Sequence, residues 1–279
     1  MHNIRLIALD LDGTLLNSDK QLSEENSASL LKAAEEGVEI VPATGRFYRG
    51  MPSVIRELPY VHYVISVNGA QVYDVLEDKT VCGSEIPCEQ AVSVMERLDA
   101  LDVIYDCYQN GWGWMTQSLY DKANKYAANN HSLEMILNLR TPVPELKAYL
   151  KERSEGVQKI QVFFRDMELR SEMLKKLPEE FPDLVFTTSI VNNIEINSRQ
   201  ATKGYALEKL AEYLKIPMES TMAFGDDTND ITMLKSAGIG VAMGNSDSEV
   251  KGSADYITDG CDNSGVAHAL KHFLWERKK

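Results

Sequence analysis

Leu6-Ile7-Ala8-Leu9-Asp10-Leu11-Asp12-Gly13-Thr14-Leu15-Leu16 decides how this chain is built. Four apolar residues without a polar interruption read as a buried parallel strand, covered by helices on both faces. The run then meets Asp10 and Asp12, two carboxylates that strand alternation would send the same way. Gly13 can take backbone conformations closed to other residues, and Thr14 adds a hydroxyl. Ligands of open α/β sheets bind just beyond the carboxyl ends of the strands. A turn closing the strand needs one Asp. Two at that edge point to chemistry.

The same pattern recurs outward from this strand. Ser23 can cap a helix whose first turn carries Glu24 and Glu25, and Gly37 ends it. Val38–Val41 then forms a second strand, joined to the first by a right-handed crossover, and carries Thr44-Gly45-Arg46 to the same sheet edge. A hydroxyl there can bond a phosphoryl oxygen, and the next helix start offers free N–H groups. Tyr63–Val67 is a third strand, closed by the turn signal Asn68-Gly69. After Asn197 the parallel style resumes. Ala201-Thr202-Lys203-Gly204 opens a helix through Leu214, where a lysine at the positive end is electrostatically misplaced unless it has a function. Thr221–Gly225 is another short buried strand, which delivers Asp226-Asp227-Thr228-Asn229-Asp230 to that edge. Asp227 and Thr228 would also suit simple helix capping. The glycines of Gly238–Gly244 flank a strand after a helix, the wrong order for a dinucleotide fingerprint.

From about Gly83 the chain changes character. Strands are predicted at Ile104–Tyr108, Trp112–Thr116, Lys159–Arg165, Leu184–Thr188 and Ile194–Asn197. Helices are predicted at Pro87–Leu101, Leu119–Asn130 and Met167–Leu177, with a break at Pro142-Val143-Pro144. An α+β domain with helices on one face of its sheet fits best. The expected division is a core of residues 1–82 and 193–279 and an inserted domain of residues 83–192.

Composition narrows the partners. Among 279 residues, 29 Lys and Arg face 42 Asp and Glu, a formal charge of −13. That balance argues against nucleic acid and anionic membranes, and an anionic substrate would need a local cation. Four cysteines without a C-x-x-C pair read as free thiols in a reducing compartment. No uncharged stretch approaches the roughly 20 residues of a membrane span. A cytoplasmic protein is expected; the sequence is silent on its oligomeric state.

The segments Asp10-x-Asp12-Gly13-Thr14, Thr44, Lys203 and Gly225-Asp226-Asp227-Thr228-Asn229-Asp230 resemble, in order and type, the four motifs of the haloacid dehalogenase (HAD) superfamily. Gly238–Asn245, Ala254–Thr258 and Gly265-Val266-Ala267 are similar to downstream segments of its Cof-like phosphatase branch. The resemblance implies an α/β fold, a Rossmann-like doubly wound parallel sheet core with an inserted α+β cap domain. It implies a Mg²⁺-dependent phosphatase for small phosphate monoesters, such as sugar phosphates or phosphorylated cofactors. Asp10 would be the nucleophile and Asp12 the acid–base residue. Asp10, the Asp12 backbone carbonyl and Asp226 would ligate Mg²⁺, with Asp230 behind them. Thr44, Gly45, Lys203 and Asn229 would join Asp10 in binding the phosphoryl group. Departures are slight: Asp227 stands where many relatives have Asn, and Thr202 precedes the lysine where Ser is common. Phosphoryl transfer to another acceptor, as in the phosphomutases, and binding of a phosphometabolite without turnover are the alternatives.

Overall fold

A computed structural model describes residues 3–276. The chain forms two compact units, one of residues up to Gly83 and from Ala201 onward, the other of Ser84–Gln200. The first unit begins with β1 (Leu6–Leu9), β2 (Glu39–Pro42), β3 (Tyr63–Ser66), β4 (Gln71–Asp74) and β5 (Lys79–Gly83). The second holds β6 (Val103–Gln109), β7 (Trp112–Thr116), β8 (Arg140–Val143), β9 (Lys159–Phe164), β10 (Leu184–Thr187) and β11 (Asn193–Ser198). The chain returns to the first unit with β12 (Thr221–Gly225), β13 (Ile239–Ala242) and β14 (Tyr256–Ile257).

The core sheet is wholly parallel, in the order β14-β13-β12-β1-β2. A parallel bridge between Ala43 and Ile65 sets β3 beside β2, and β3, β4 and β5 continue as an antiparallel meander. All four residues of β1 are fully buried. Ile7 and Leu9 join the apolar cluster that includes Leu30, Ala33, Val266 and Leu270, while Leu6 and Ala8 pack with Ala206, Leu207 and Leu210 on the other face. Each such Leu or Ile contributes about 1.5–3 kcal/mol. The helix Glu24–Glu35 forms as read: the Ser23 side chain accepts from the Asn26 N–H, two acids occupy the first turn, and Gly37 follows with φ +86°. Strands progress from β1 to β2 and β3 on one side and from β12 to β14 on the other. β1 and β12 therefore flank the switch point where such sheets bind ligands.

The second unit is a six-stranded sheet in the order β10-β11-β9-β6-β7-β8, antiparallel except for the parallel pair β7 and β8. One face packs on the helices Cys88–Leu98, Leu146–Arg153 and Met167–Glu180. The expectation that helices cover only one face needs amendment. At one end of the opposite face Ile104, Met115 and Phe163 lie under Ala123, Tyr126 and Ile136 of two short helices. The single helix predicted at Leu119–Asn130 is replaced by helices Gln117–Tyr120, Ala123–Tyr126 and Asn130–Leu139. Pro142 lies within β8 rather than in a break; β8 is an edge strand, where a residue without an N–H is tolerated. The predicted core boundary also moves. Residues 193–200 belong to the second unit, because β11 pairs with β9 and β10.

Among the described residues no helix is long and apolar enough to cross a membrane. All four cysteines are free thiols.

Candidate active site

β1 ends at Leu9, so the alternation expected of Asp10 and Asp12 does not apply, and the two carboxylates take different partners. Asp10 stays against β12 through its N–H, which donates to the Phe224 carbonyl at 3.0 Å. Its side chain is nearly buried and accepts from Lys203 Nζ at 2.5 Å. The chain then turns sharply at Gly13, with φ +94°, where any Cβ would run into the Asp226 carboxylate. This turn places Thr14, fully buried, so that its hydroxyl donates to Asp226 Oδ1 at 2.7 Å.

Lys203 is the first residue of the helix Lys203–Leu214, whose N-cap Thr202 accepts from the Tyr205 N–H. Its side chain is wholly buried, and Nζ donates to Asp10 Oδ1 and, at 2.6 Å, to Asp230 Oδ1. The other oxygen of Asp230 accepts from the N–H groups of Asp226 and Asp227. Both Asp230 oxygens are thus engaged in shaping the loop after β12. Asp226 is freer: its second oxygen accepts from Asn245 Nδ2, at 3.4 Å. Asn245 Nδ2 also donates to the Gly13 carbonyl at 2.9 Å, and its Oδ1 accepts from the Cys261 N–H.

Three carboxylates therefore face one ammonium. Burial first, then repulsion from Asp230 and Asp226, overcomes the attraction of Lys203 and pushes Asp10 up to about 7. Burial, with repulsion from Asp230, pushes Asp226 up to about 6 against the Thr14 hydrogen bond. Burial opposes the charge on Lys203, yet Asp10 and Asp230 hold its amine well above the usual range. Ligand oxygens of Asp10, Asp226 and Asp230 lie within 4.8 Å of one another. Hard oxygen donors with excess negative charge in a small space suit a divalent cation such as Mg²⁺ or Ca²⁺. The residues present fit such an ion.

Asp12 lies apart from this cluster. Arg46 grips it with Nε at 3.1 Å and NH2 at 3.0 Å, and Lys20 Nζ lies at 3.0 Å. Partial burial works the other way, but Lys20 and Arg46 hold its carboxyl below the usual range. Thr44 is buried, and its hydroxyl oxygen accepts from the Arg46 N–H at 3.2 Å. Asn229 is exposed and donates through Nδ2 to Asn68 Oδ1 at 3.1 Å, beside Gly45.

The structure thus gathers Asp10, Lys203, Asp226 and Asp230 into one cluster, with Gly45 and Asn229 meeting at Asn68. Sequence reasoning missed Arg46 and Lys20 as partners of Asp12, Asn245 as a clasp on Asp226, and Asn68, which it read only as a turn residue. The partner of the Thr14 hydroxyl, Asp226, is likewise invisible in the sequence.

Comparison with known proteins identifies the family. The haloacid dehalogenase-like hydrolase family matches residues 7–270. The Bacillus subtilis phosphatase YwpJ is 35% identical, over 97% of this chain and all of its own length. The 5-amino-6-(5-phospho-D-ribitylamino)uracil phosphatase YcsE of the same organism is 33% identical, over 98% of this chain and 96% of its own. Among solved structures, BT1666 of Bacteroides thetaiotaomicron, a HAD phosphatase, superposes with a TM-score of 0.78 at 29% identity, over 98% of this chain and 96% of that one. The chain belongs to the haloacid dehalogenase-like hydrolase family, in its Cof-like phosphatase branch.

Proposed function

We propose that the protein is a cytoplasmic Mg²⁺-dependent phosphatase that hydrolyses small phosphate monoesters through an aspartyl-phosphate on Asp10. The observation that carries this reading is the buried Lys203, clasped between Asp10 and Asp230 with Asp226 alongside. Asp10, the Asp12 backbone carbonyl and Asp226 would hold the ion, and Asp230 would fix the loop behind them. A bound Mg²⁺ supplies neutralising charge for the carboxylates and the phosphoryl oxygens.

The protein's own groups divide the work. An Asp10 oxygen attacks phosphorus while the ester oxygen leaves and takes a proton from Asp12. Water then attacks the acyl-phosphate, gives a proton to Asp12, and orthophosphate departs with Asp10 restored. Lys203 orients Asp10 and offers fixed positive charge, and Thr44, Gly45 and Asn229 border the phosphoryl oxygens. The pairing of Asp12 with Lys20 and Arg46 favours its ionised form, which the second step needs. The first step needs the acid, so a substrate anion must draw Arg46 away from Asp12. The substrate class rests on the relatives: YcsE is named for a phosphorylated ribitylaminouracil.

The test is phosphate release from a panel of phosphorylated metabolites, with and without chelator, followed by rapid-quench mass spectrometry. Release that stops on chelation and returns with Mg²⁺, with phosphate trapped on Asp10 and absent from Asp10→Asn, is expected. Full turnover after chelation would refute the metal requirement, and full activity of Asp10→Asn would refute the nucleophile.

A further inference from the structure

The turn between β3 and β4 is built more elaborately than a hairpin needs. Val67, Asn68 and Gly69 follow one another with φ of +51°, +56° and +98°. Asn tolerates the left-handed region and Gly is at home there, but a β-branched valine is a genuine outlier. Such strain persists only where surrounding contacts over-determine it.

The contacts that do so run to three segments of the candidate active site. The Val67 N–H donates to the Arg46 carbonyl at 3.0 Å, and the Asn68 N–H to the Thr44 carbonyl at 3.0 Å. The Thr44–Gly45–Arg46 loop is thereby tied to the turn by its backbone. Gly69 presses on the Thr202 carbonyl, beside the Lys203 N–H, so closely that no Cβ could fit. The Asn68 carboxamide accepts from Asn229 Nδ2 at 3.1 Å. It also lies over Gly45, where a Cβ would sit 3.0 Å from its oxygen. The glycine at position 45 is therefore matched to the asparagine at position 68.

We propose that Asn68 is a positioning residue: its carboxamide, lying over Gly45 and holding Asn229, sets both segments, so that they border the phosphoryl group together. The inference rests on reading Thr44 and Gly45 as the phosphoryl-binding loop. Its strain has the physical meaning that a relaxed turn would let the loop drift. Displacements of about 1 Å in positioning groups can cost about 100-fold in rate.

The test uses Asn68→Gly, which keeps the left-handed backbone and deletes the carboxamide, and Asn229→Ala, which removes the other half of the contact without touching the turn. The expected result for each is an unchanged melting temperature, with inhibition by inorganic phosphate weakened about 10-fold or more and kcat/KM lowered by a similar factor. Amide exchange of residues 44–47 should quicken in Asn68→Gly, and Asn68→Asp, which keeps the acceptor for Asn229, should restore its protection. The double variant should cost less than the sum of the two single losses, since both delete the contact between Asn68 and Asn229. Wild-type phosphate inhibition and exchange in folded Asn68→Gly, or additive losses in the double variant, would overturn the proposal. Thr44→Val serves as the control. If it weakens phosphate inhibition while Asn68→Gly does not, this inference alone fails; if it leaves inhibition at the wild-type value, the loop assignment and the inference fall together.

Discussion

Each unit of the molecule buries a lysine among carboxylates, and the two sites are balanced differently. In the second unit Lys159 donates to Glu195 at 3.1 Å, and Arg140 donates to Asp106 at 2.8 Å, all four being buried. Gln161 bridges the pairs, accepting from Arg140 and donating to Glu195. Two cations thus meet two anions. Burial works against the charge on Lys159, but Glu195 holds its amine above the usual range, and Lys159 in turn holds the Glu195 carboxyl below it. Around Lys203 three carboxylates face one cation, and Asp10 and Asp226 rise into the range of neutral pH. A network balanced in charge needs no further ion. An unbalanced one is incomplete without a further cation, so buried charge marks a reaction site only where its sum is left open.

The comparison is broken most forcefully by removing the lysine itself. Lys203→Met leaves Asp10 and Asp230 buried without their counter-charge, which should destabilise the fold by about 3–5 kcal/mol. Activity should fall by at least about 10²-fold, as when a preorganised electrostatic donor is lost. Adding Asp230→Asn, which removes the charge but keeps an acceptor for the Asp226 and Asp227 N–H groups, should recover part of the melting temperature but not turnover. In the second unit Arg140→Met alone should likewise cost about 3–5 kcal/mol, by stranding Asp106. There the double variant Asp106→Leu/Arg140→Met should regain stability and keep kcat/KM on p-nitrophenyl phosphate. Among the described residues Asp106 Oδ1 has no hydrogen-bond partner, so little is lost with it. A folded double variant that has lost kcat/KM would show that the balanced network also serves the reaction.

A smaller effect sharpens the comparison through pH. The folded pKa of Asp226 lies near 6, above its ordinary 3.8, so the metal-free folded state binds the extra proton between those values. Its contribution to stability is therefore lost as pH rises from about 4 to 6, and the penalty is complete above that. Asp226→Asn lacks the penalty. In chelator it should melt above wild type at pH 7.5, by about 2–4 °C per kcal/mol recovered, with the gap closing by pH 4. Mg²⁺ should reverse the order, because it stabilises only the protein that binds it. Calorimetry at three pH values, with and without metal, checks both. A variant less stable than wild type in chelator at pH 7.5 would mean that Asp226 holds the apo loop together.

What the sequence made legible was local. The run Leu6–Leu9 announced a buried strand because parallel strands have no polar face, and Asp10, Lys203 and Asp226 stood out because each sits next to its strand or helix end. Contacts that cross the chain left no local trace. The bond from Asn229 to Asn68 spans 161 residues and that from Asn245 to Gly13 spans 232. β11 has the alternating pattern of any half-buried strand, so only its pairing with β9 and β10 assigns it to the second unit. Alternation misled at Asp12 for a related reason: it holds only while the strand lasts, and β1 stops at Leu9. Arg46 and Lys20, exposed and unremarkable in sequence, acquire meaning only from the carboxylate between them.

That carboxylate provides the finest test of the comparison, since Asp12 belongs to neither buried network and its cations are exposed. Lys20 is 58% and Arg46 43% exposed at the side chain. Exposed pairs are worth about 0.2–1 kcal/mol. One pH unit corresponds to about 1.4 kcal/mol. Lys20→Ala should therefore raise the pKa of Asp12 by less than about one unit. The sign follows from the charge: without the cation the ionised form is less favoured, so the acid persists to higher pH. For a substrate with a poor leaving group, the alkaline limb of kcat/KM should move up by that amount. For p-nitrophenyl phosphate, whose leaving group needs no proton, it should stay in place. The shift should also shrink as salt rises, because exposed charges are screened. An equal shift for both esters would mean that the titrating group is not a proton donor to the leaving group, and Asp12 would lose its assigned role.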